Sequence, residues 1–220
     1  MTAGGPHRNA RPLPVSLPLF PLTGVLLLPR GQLPLNVFEQ RYLNMVDDAL
    51  AGDRLIGMIQ PEAAEPHGFN PPLYRTGCAG RITGFAEEGE RYLITLTGIC
   101  RFDVTDEVAT TRIYRRAVPD WAPYVDDLAE AAPDAIDRRR LLAGLKPFFQ
   151  NRGLSIDWHA IEATPDERLV TTLAMICPFA AAEKQSLLQA SGLADRARLL
   201  TGLVEMALLD PSGGGGTARH

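Results

Sequence analysis

Few residues in this chain have the types that covalent chemistry requires. Lys184 and Ser186 are the partners of a Ser–Lys dyad, in which the amine would take the hydroxyl proton. They stand two positions apart in a segment with helical patterning, and that spacing sends them to different faces. Cys100 sits in an apolar strand pattern, where a thiol serves as a small hydrophobic filler rather than a nucleophile. The four histidines (His7, His67, His159, His220) and three cysteines (Cys78, Cys100, Cys177) show no metal-ligand spacing, so neither a metal nor a cofactor is expected. The phosphate-binding signatures are also missing. Lys146 lies in Gly-Leu-Lys-Pro, without the second glycine or the hydroxyl of a P-loop, and no G-x-G-x-x-G, G-x-S-x-G or H-E-x-x-H occurs.

Two basic clusters remain, Arg115-Arg116 and Arg138-Arg139-Arg140. Three consecutive arginines on a helix spread over about 200° of its surface, so they make a solvated face and not a focused phosphate site. The whole chain carries 22 Lys+Arg against 26 Asp+Glu, a net charge of −4, which argues against a dedicated nucleic-acid binder. Only two of the basic residues are lysines, a bias that reads as a GC-rich bacterial genome. The odd, dispersed cysteines fit a reducing cytoplasm. No apolar run approaches the ~20 residues that span a bilayer, and nothing at the N-terminus resembles a secretory signal.

The elements that would position any site fall into two kinds. At 220 residues with 45% hydrophobic content, the chain is long enough to bury a real core. Residues 1–14 read as a flexible lead-in and the Gly-rich residues 211–220 as a disordered tail. From 15 to 122 the pattern is β-rich. Val15–Leu22, Val25–Pro29 and Leu33–Phe38 are extended and broken by prolines, which belong at strand edges and ends. Tyr42, Met45, Val46, Ala49 and Leu50 make one helical stripe closed by Gly52. Leu55–Ile59 is a strand, Pro61–Leu73 a proline-rich loop, and Cys78–Phe85 with Tyr92–Leu96 a hairpin around Glu87–Glu90. Leu93 interrupts the alternation of Tyr92, Ile94 and Leu96, which suggests partial burial on both faces. Ile99–Val104 and Ile113–Trp121 complete this part.

From 123 to 210 the pattern is helical. Ala135–Asn151, Ala181–Ala190 and Leu193–Leu209 carry apolar stripes. Thr164-Pro165-Asp166-Glu167 has the form of a capping box ahead of the stripe Leu169, Leu173, Ile176. Strands followed by helices read as an α+β protein or as two domains, and α+β is the expected class. The segment from Leu17 to Val46 stands out, because its apolar residues do not alternate and its prolines leave backbone groups unpaired. Such an edge can accept an extended peptide as an added strand.

That segment resembles the N-terminal substrate-binding domain of Lon ATP-dependent proteases. Leu17–Leu22, Val25–Leu28, Leu33–Leu35, Phe38-Glu39 and Arg41-Tyr42 follow its L-P-L-F-P-L…V-L…L-P-L…F-E-x-R-Y pattern. Gly77–Ile82, Leu96–Phe102 and Tyr114–Val118 are similar to later strands of the family. Gln40 stands where proline is common, and Arg30-Gly31 follows Pro29 where Pro-Gly is usual. The resemblance implies a PUA-like six-stranded pseudo-barrel with one inserted helix, followed by a C-terminal helical bundle. It also implies binding of unfolded or extended polypeptide segments. The ATPase and Ser–Lys protease motifs of full Lon are absent, so the expectation is a non-catalytic adaptor in protein quality control, with a Lon-type protease or another protein as partner. The expected binding residues are Leu22, Val25, Leu27 and Pro29, with Arg30 at the rim. Phe38, Glu39, Arg41 and Tyr42 are expected to be structural. An RNA-binding PUA-like protein and a small-molecule binder or unrecognised hydrolase are the alternatives.

Overall fold

The computed structural model describes residues 12–63, 70–129, 136–153 and 157–209. The lead-in and Gly-rich tail therefore fall largely or wholly outside the described residues, as do His7, His67 and His220 and the middle of the proline-rich loop. Six strands form one sheet: β1 (Leu17–Pro21), β2 (Gln32–Val37), β3 (Leu55–Ile59), β4 (Thr76–Glu88), β5 (Arg91–Glu107) and β6 (Arg116–Asp120). Their order is β2-β5-β4-β3-β1-β6, and β6 pairs with β5 as well. Five strands thus close on themselves, and β2 stands outside the closure.

The length of β5 makes this arrangement possible. Its first residues, Tyr92–Thr97, pair with β2, and its last, Asp103–Glu107, pair with β6. Inside the closed part Leu17, Leu19, Leu55, Ile59, Ala79, Phe102 and Ala117 form a small core. The Phe102 ring fills space that side chains at Gly57 and Gly77 would need.

Helix α1 (Gln40–Ala51) buries Tyr42, Met45, Val46 and Ala49 of the expected stripe and leaves Leu50 half-buried, and Gly52 ends it by donating to the Ala49 carbonyl at 3.1 Å. The hairpin turns at Gly89, whose φ of +61° suits glycine. Residues 25–29 are not a strand. Leu26, Leu27 and Leu28 are all buried, and the chain there crosses β5 at Gly98. Arg30 donates to the Gly98 carbonyl at 2.8 Å and Gly98 donates to that of Gly31 at 2.9 Å. A Cβ at Gly98 would collide with the Leu28 carbonyl oxygen.

A 3-10 helix (Ala122–Leu128) leads to α2 (Arg138–Asn151), α3 (Trp158–Ala163), α4 (Asp166–Ile176), α5 (Ala181–Gln189) and α6 (Leu193–Leu209). The expected cap at Thr164 is displaced. Its hydroxyl bonds back to the Ala160 carbonyl at 2.7 Å, closing α3, and Pro165 becomes the N-cap of α4. Ile176, expected in the buried stripe, is exposed because α4 ends there. One apolar cluster runs from Leu28, Ile82 and Leu96 of the barrel to Leu145, Phe148, Leu173 and Leu187 of the helices.

Buried polar groups stitch the two parts together. Arg101 of β5 forms a two-pronged pair with Asp127 (2.9 Å each) and donates to the carbonyls of Leu188 and Ala190 at the end of α5. Gln60 receives the Gly24 amide and donates to the Ala181 carbonyl and Gln185 side chain, while Gln185 reaches the Thr76 carbonyl.

Candidate functional site

Among the described residues, the free edge of the sheet is β2. The bond from Gly98 to Gly31 sets the phase of its ladder, so that Leu33, Leu35 and Val37 exchange backbone bonds with β5. Gln32, Pro34 and Asn36 turn their backbone groups outward. Pro34 has no N–H to offer there, which blunts the edge against indiscriminate pairing.

Register places six side-chain positions on one face in two rows. Pro34 pairs with Thr95, which pairs with Gly84; Asn36 pairs with Leu93, which pairs with Ala86. A register shift between Ile82 and Gly84 brings the small residues of β4 into this position. With no side chain at Gly84 and only a methyl at Ala86, the face hollows into an open groove of about 510 Å³ walled by Pro34, Asn36 and Leu93. Leu93 is 36% exposed, and Phe38, directly beyond β2, is 65% exposed. The other face of the same strands, Leu33, Leu35, Val37, Ile94 and Leu96, packs on the core. Phe85 sits at the open end of that face, edge-on to Tyr92 with centroids 5.1 Å apart. The result is an outward strip of apolar and small side chains beside an unpaired strand edge.

Residues 16–205 match the substrate-binding domain of ATP-dependent protease La (Lon). The chain belongs to this family. Among its relatives are Lon protease 2 of Sorangium cellulosum, 26% identical over 215 residues covering 93% of this chain, and Lon protease 2 of Myxococcus xanthus, 30% identical over 128 residues covering 57%. The chain spans only 26% and 14% of those two proteins. The Lon N-terminal domain protein from Xanthomonas campestris has the same fold, with a TM-score of 0.58 and 23% identity over 86% of this chain and 97% of that one. So does the N-terminal domain of Mycobacterium avium complex Lon protease, with a TM-score of 0.61 and 16% identity over 86% and 98%.

In this Lon-family domain the residues expected to form the edge are not brought together on the surface. β1 lies between β3 and β6 and has no free side. Leu22 and Val25 are half-buried against the core, and Leu27 and Pro29 are buried. Arg30 is exposed, with φ +63°, but it is tied to Glu167 and to the Asp127 and Ala129 carbonyls. The strip on β2, β4 and β5 was not expected from spacing. Its one signal was Leu93, whose apolar side chain breaks the alternation because it faces outward. Of the segment after β2, Arg41 pairs with Glu39 at 2.8 Å and lies over the Tyr42 ring, while Phe38 projects from the surface.

The described residues hold no assembled nucleophile. Lys184 is buried and donates to the carbonyls of Gly24 and Met175, while Ser186 bonds its own helix at Ala182. Burial lowers the Lys184 pKa, yet no hydroxyl shares its site. Burial pushes the Cys100 and Cys177 thiols up to about 12 and raises Cys78 further, the reverse of what a nucleophile needs. His159 is exposed, and no group of three or more His, Cys, Asp or Glu among the described residues is placed to hold a metal. The arginine run is divided: Arg138 binds Asp166 and the last carbonyls of α3, and Arg140 pairs with Glu205 at 2.7 Å. No described helix is long and apolar enough to cross a membrane.

Proposed function

We propose that this protein is a non-catalytic recognition module that binds extended, partly apolar polypeptide segments along the β2–β5–β4 strip. The observation that carries this reading is the exposed face of Pro34, Leu93 and Ala86 beside the edge of β2 that no described strand pairs, in a chain of the Lon substrate-binding family. An extended segment laid along β2 can take backbone bonds from Gln32 and Asn36, while Leu93 and Phe38 offer apolar contact to alternate side chains. Pro34 limits the backbone ladder, so affinity rests on side chains and favours apolar segments over any chain with a free edge. In the cell such a module acts as a cytoplasmic adaptor, delivering partly unfolded chains to a Lon-type protease or holding them away from it. The dispersal of the arginine run favours this reading over RNA binding.

The test is fluorescence anisotropy with a labelled, permanently unfolded polypeptide such as reduced, carboxymethylated lactalbumin. Leu93→Asp and Phe38→Ser each remove apolar surface that is already solvent-exposed, so folding is retained. Losing one such contact weakens binding by about tenfold. Unchanged affinity in both variants, with native circular dichroism, would sink the assignment of the strip.

A further inference from the structure

A second cavity, of about 600 Å³, opens between the end of β1, the start of α1 and the connection from β5 to β6. Its size falls in the range of small-molecule sites. Among the described residues its lining carries four guanidinium groups, Arg41, Arg112, Arg115 and Arg116, and a single carboxylate, Glu107. Glu107 is already engaged by Arg115. Arg41 and Arg112 lean on Glu39 (2.8 Å) and Asp48 (3.2 Å), carboxylates outside the lining. Arg116 reaches the hydroxyl and carbonyl of Ser16, at 3.2 and 3.3 Å, and bonds the Tyr114 phenol, but has no carboxylate partner among the described residues. Among the described residues four cations therefore face three anions locally, in a chain whose net charge is −4.

A second observation points to a ligand. Tyr42 is 5% exposed and lines this cavity, and its hydroxyl makes no hydrogen bond among the described residues. Tyr114, which also lines the cavity, donates a hydrogen bond to Asp48 at 2.6 Å. Burial raises the Tyr42 pKa, so the free phenol stays a donor. The cavity is thus rich in donors and poor in acceptors. One bidentate arginine satisfies a carboxylate, whereas a phosphate has three terminal oxygens to share among several donors.

We propose that this cavity binds a small phosphate-bearing molecule, with Arg116 and the Tyr42 hydroxyl as its principal donors. The site is separate from the apolar strip and does not depend on polypeptide binding there.

Calorimetric titration of the full chain with pyrophosphate, inorganic phosphate and adenosine monophosphate tests this, with citrate as a tricarboxylate control. Pyrophosphate should bind, and its affinity should fall with rising salt. Arg116→Ala should weaken it by about tenfold or more, as expected for a lost charged hydrogen bond. Tyr42→Phe keeps the ring against Phe20 (centroids 4.3 Å apart), so it should retain the wild-type melting temperature and still lose affinity by several-fold. No heat from any phosphate probe at millimolar concentration would overturn the proposal. So would equal affinity in wild type and both variants, or citrate binding as tightly as pyrophosphate.

Discussion

Replacing Asp127 by alanine should unfold this protein at a markedly lower temperature, and the structure sets the size of the effect. The Arg101 and Asp127 side chains are only 6% and 10% exposed. The substitution deletes three bonds to Asp127, from the Arg101 backbone amide, Nε and Nη2. It leaves a buried guanidinium whose remaining partners are the Leu188 and Ala190 carbonyls and the face of Tyr124, 4.7 Å from the ring centroid. Arg196 is buried nearby, and its pKa is lowered by burial first and by Arg101 second, so removing Asp127 also leaves two cations facing each other. Breaking one side of a buried pair costs about 3–5 kcal/mol. In a chain of this size each kcal/mol lowers the melting temperature by about 2–4 °C, which gives a fall of about 6–20 °C.

Differential scanning calorimetry of Asp127→Ala, Arg101→Met and the double variant separates the causes. If the cost is that of an orphaned charge, Arg101→Met in the Asp127→Ala background removes it, and the double variant melts above the sum of the two singles. Strict additivity, or a fall of under about 2 °C in Asp127→Ala, would refute the reasoning and reduce the pair to a surface-like contact.

Two further outcomes follow from close packing and burial. Gly98→Ala places a methyl against the Leu28 carbonyl, backbone against backbone, and should prevent accumulation of soluble folded protein, whereas alanine at the open Gly202 should be tolerated; expression with circular dichroism distinguishes them. The three buried thiols should resist alkylation in the native state at pH 8. Because their folded pKa values lie above the ordinary 9.0, the stability they contribute is complete below pH 9 and is lost as pH rises toward about 12. Integrated over three thiols the loss between pH 9 and 10 is about 3 kcal/mol, read as a falling urea midpoint that flattens in cysteine-to-alanine variants.

Much of the fold is legible locally, and the candidate site is not. The stripe of α1, the strand Leu55–Ile59, the hairpin turning at Gly89 and the whole of α6 match their expected positions, because each is defined by short-range periodicity and a glycine or proline stop. Val25–Pro29 misleads for a physical reason. A run of apolar residues has no period, and Leu26–Leu28 are buried not by strand pairing but by crossing β5 and meeting the helices. Thr164 misleads because the same hydroxyl can close the helix before it as readily as cap the one after. The position of the free edge is set by β1 pairing with β6, about a hundred residues away in the chain, which no local pattern contains. Likewise the groove exists because Gly84 and Ala86 fall opposite Thr95 and Leu93, a register that a bulge decides.

The same strand carries both the strip and the lock. Leu93 and Thr95 present the groove, and six residues beyond Thr95 the strand delivers Arg101 to Asp127 and the end of α5. Because β5 is pinned just beyond the groove, by the chain crossing at Gly98 and by the buried charge pair at Arg101, the groove side chains sit on a strand with little freedom to lose. A ligand that docks there therefore orders itself and not the protein, which lowers the entropic cost of binding. This is the arrangement a recogniser of disordered chains requires: the ligand already brings most of the disorder, so the surface must bring none.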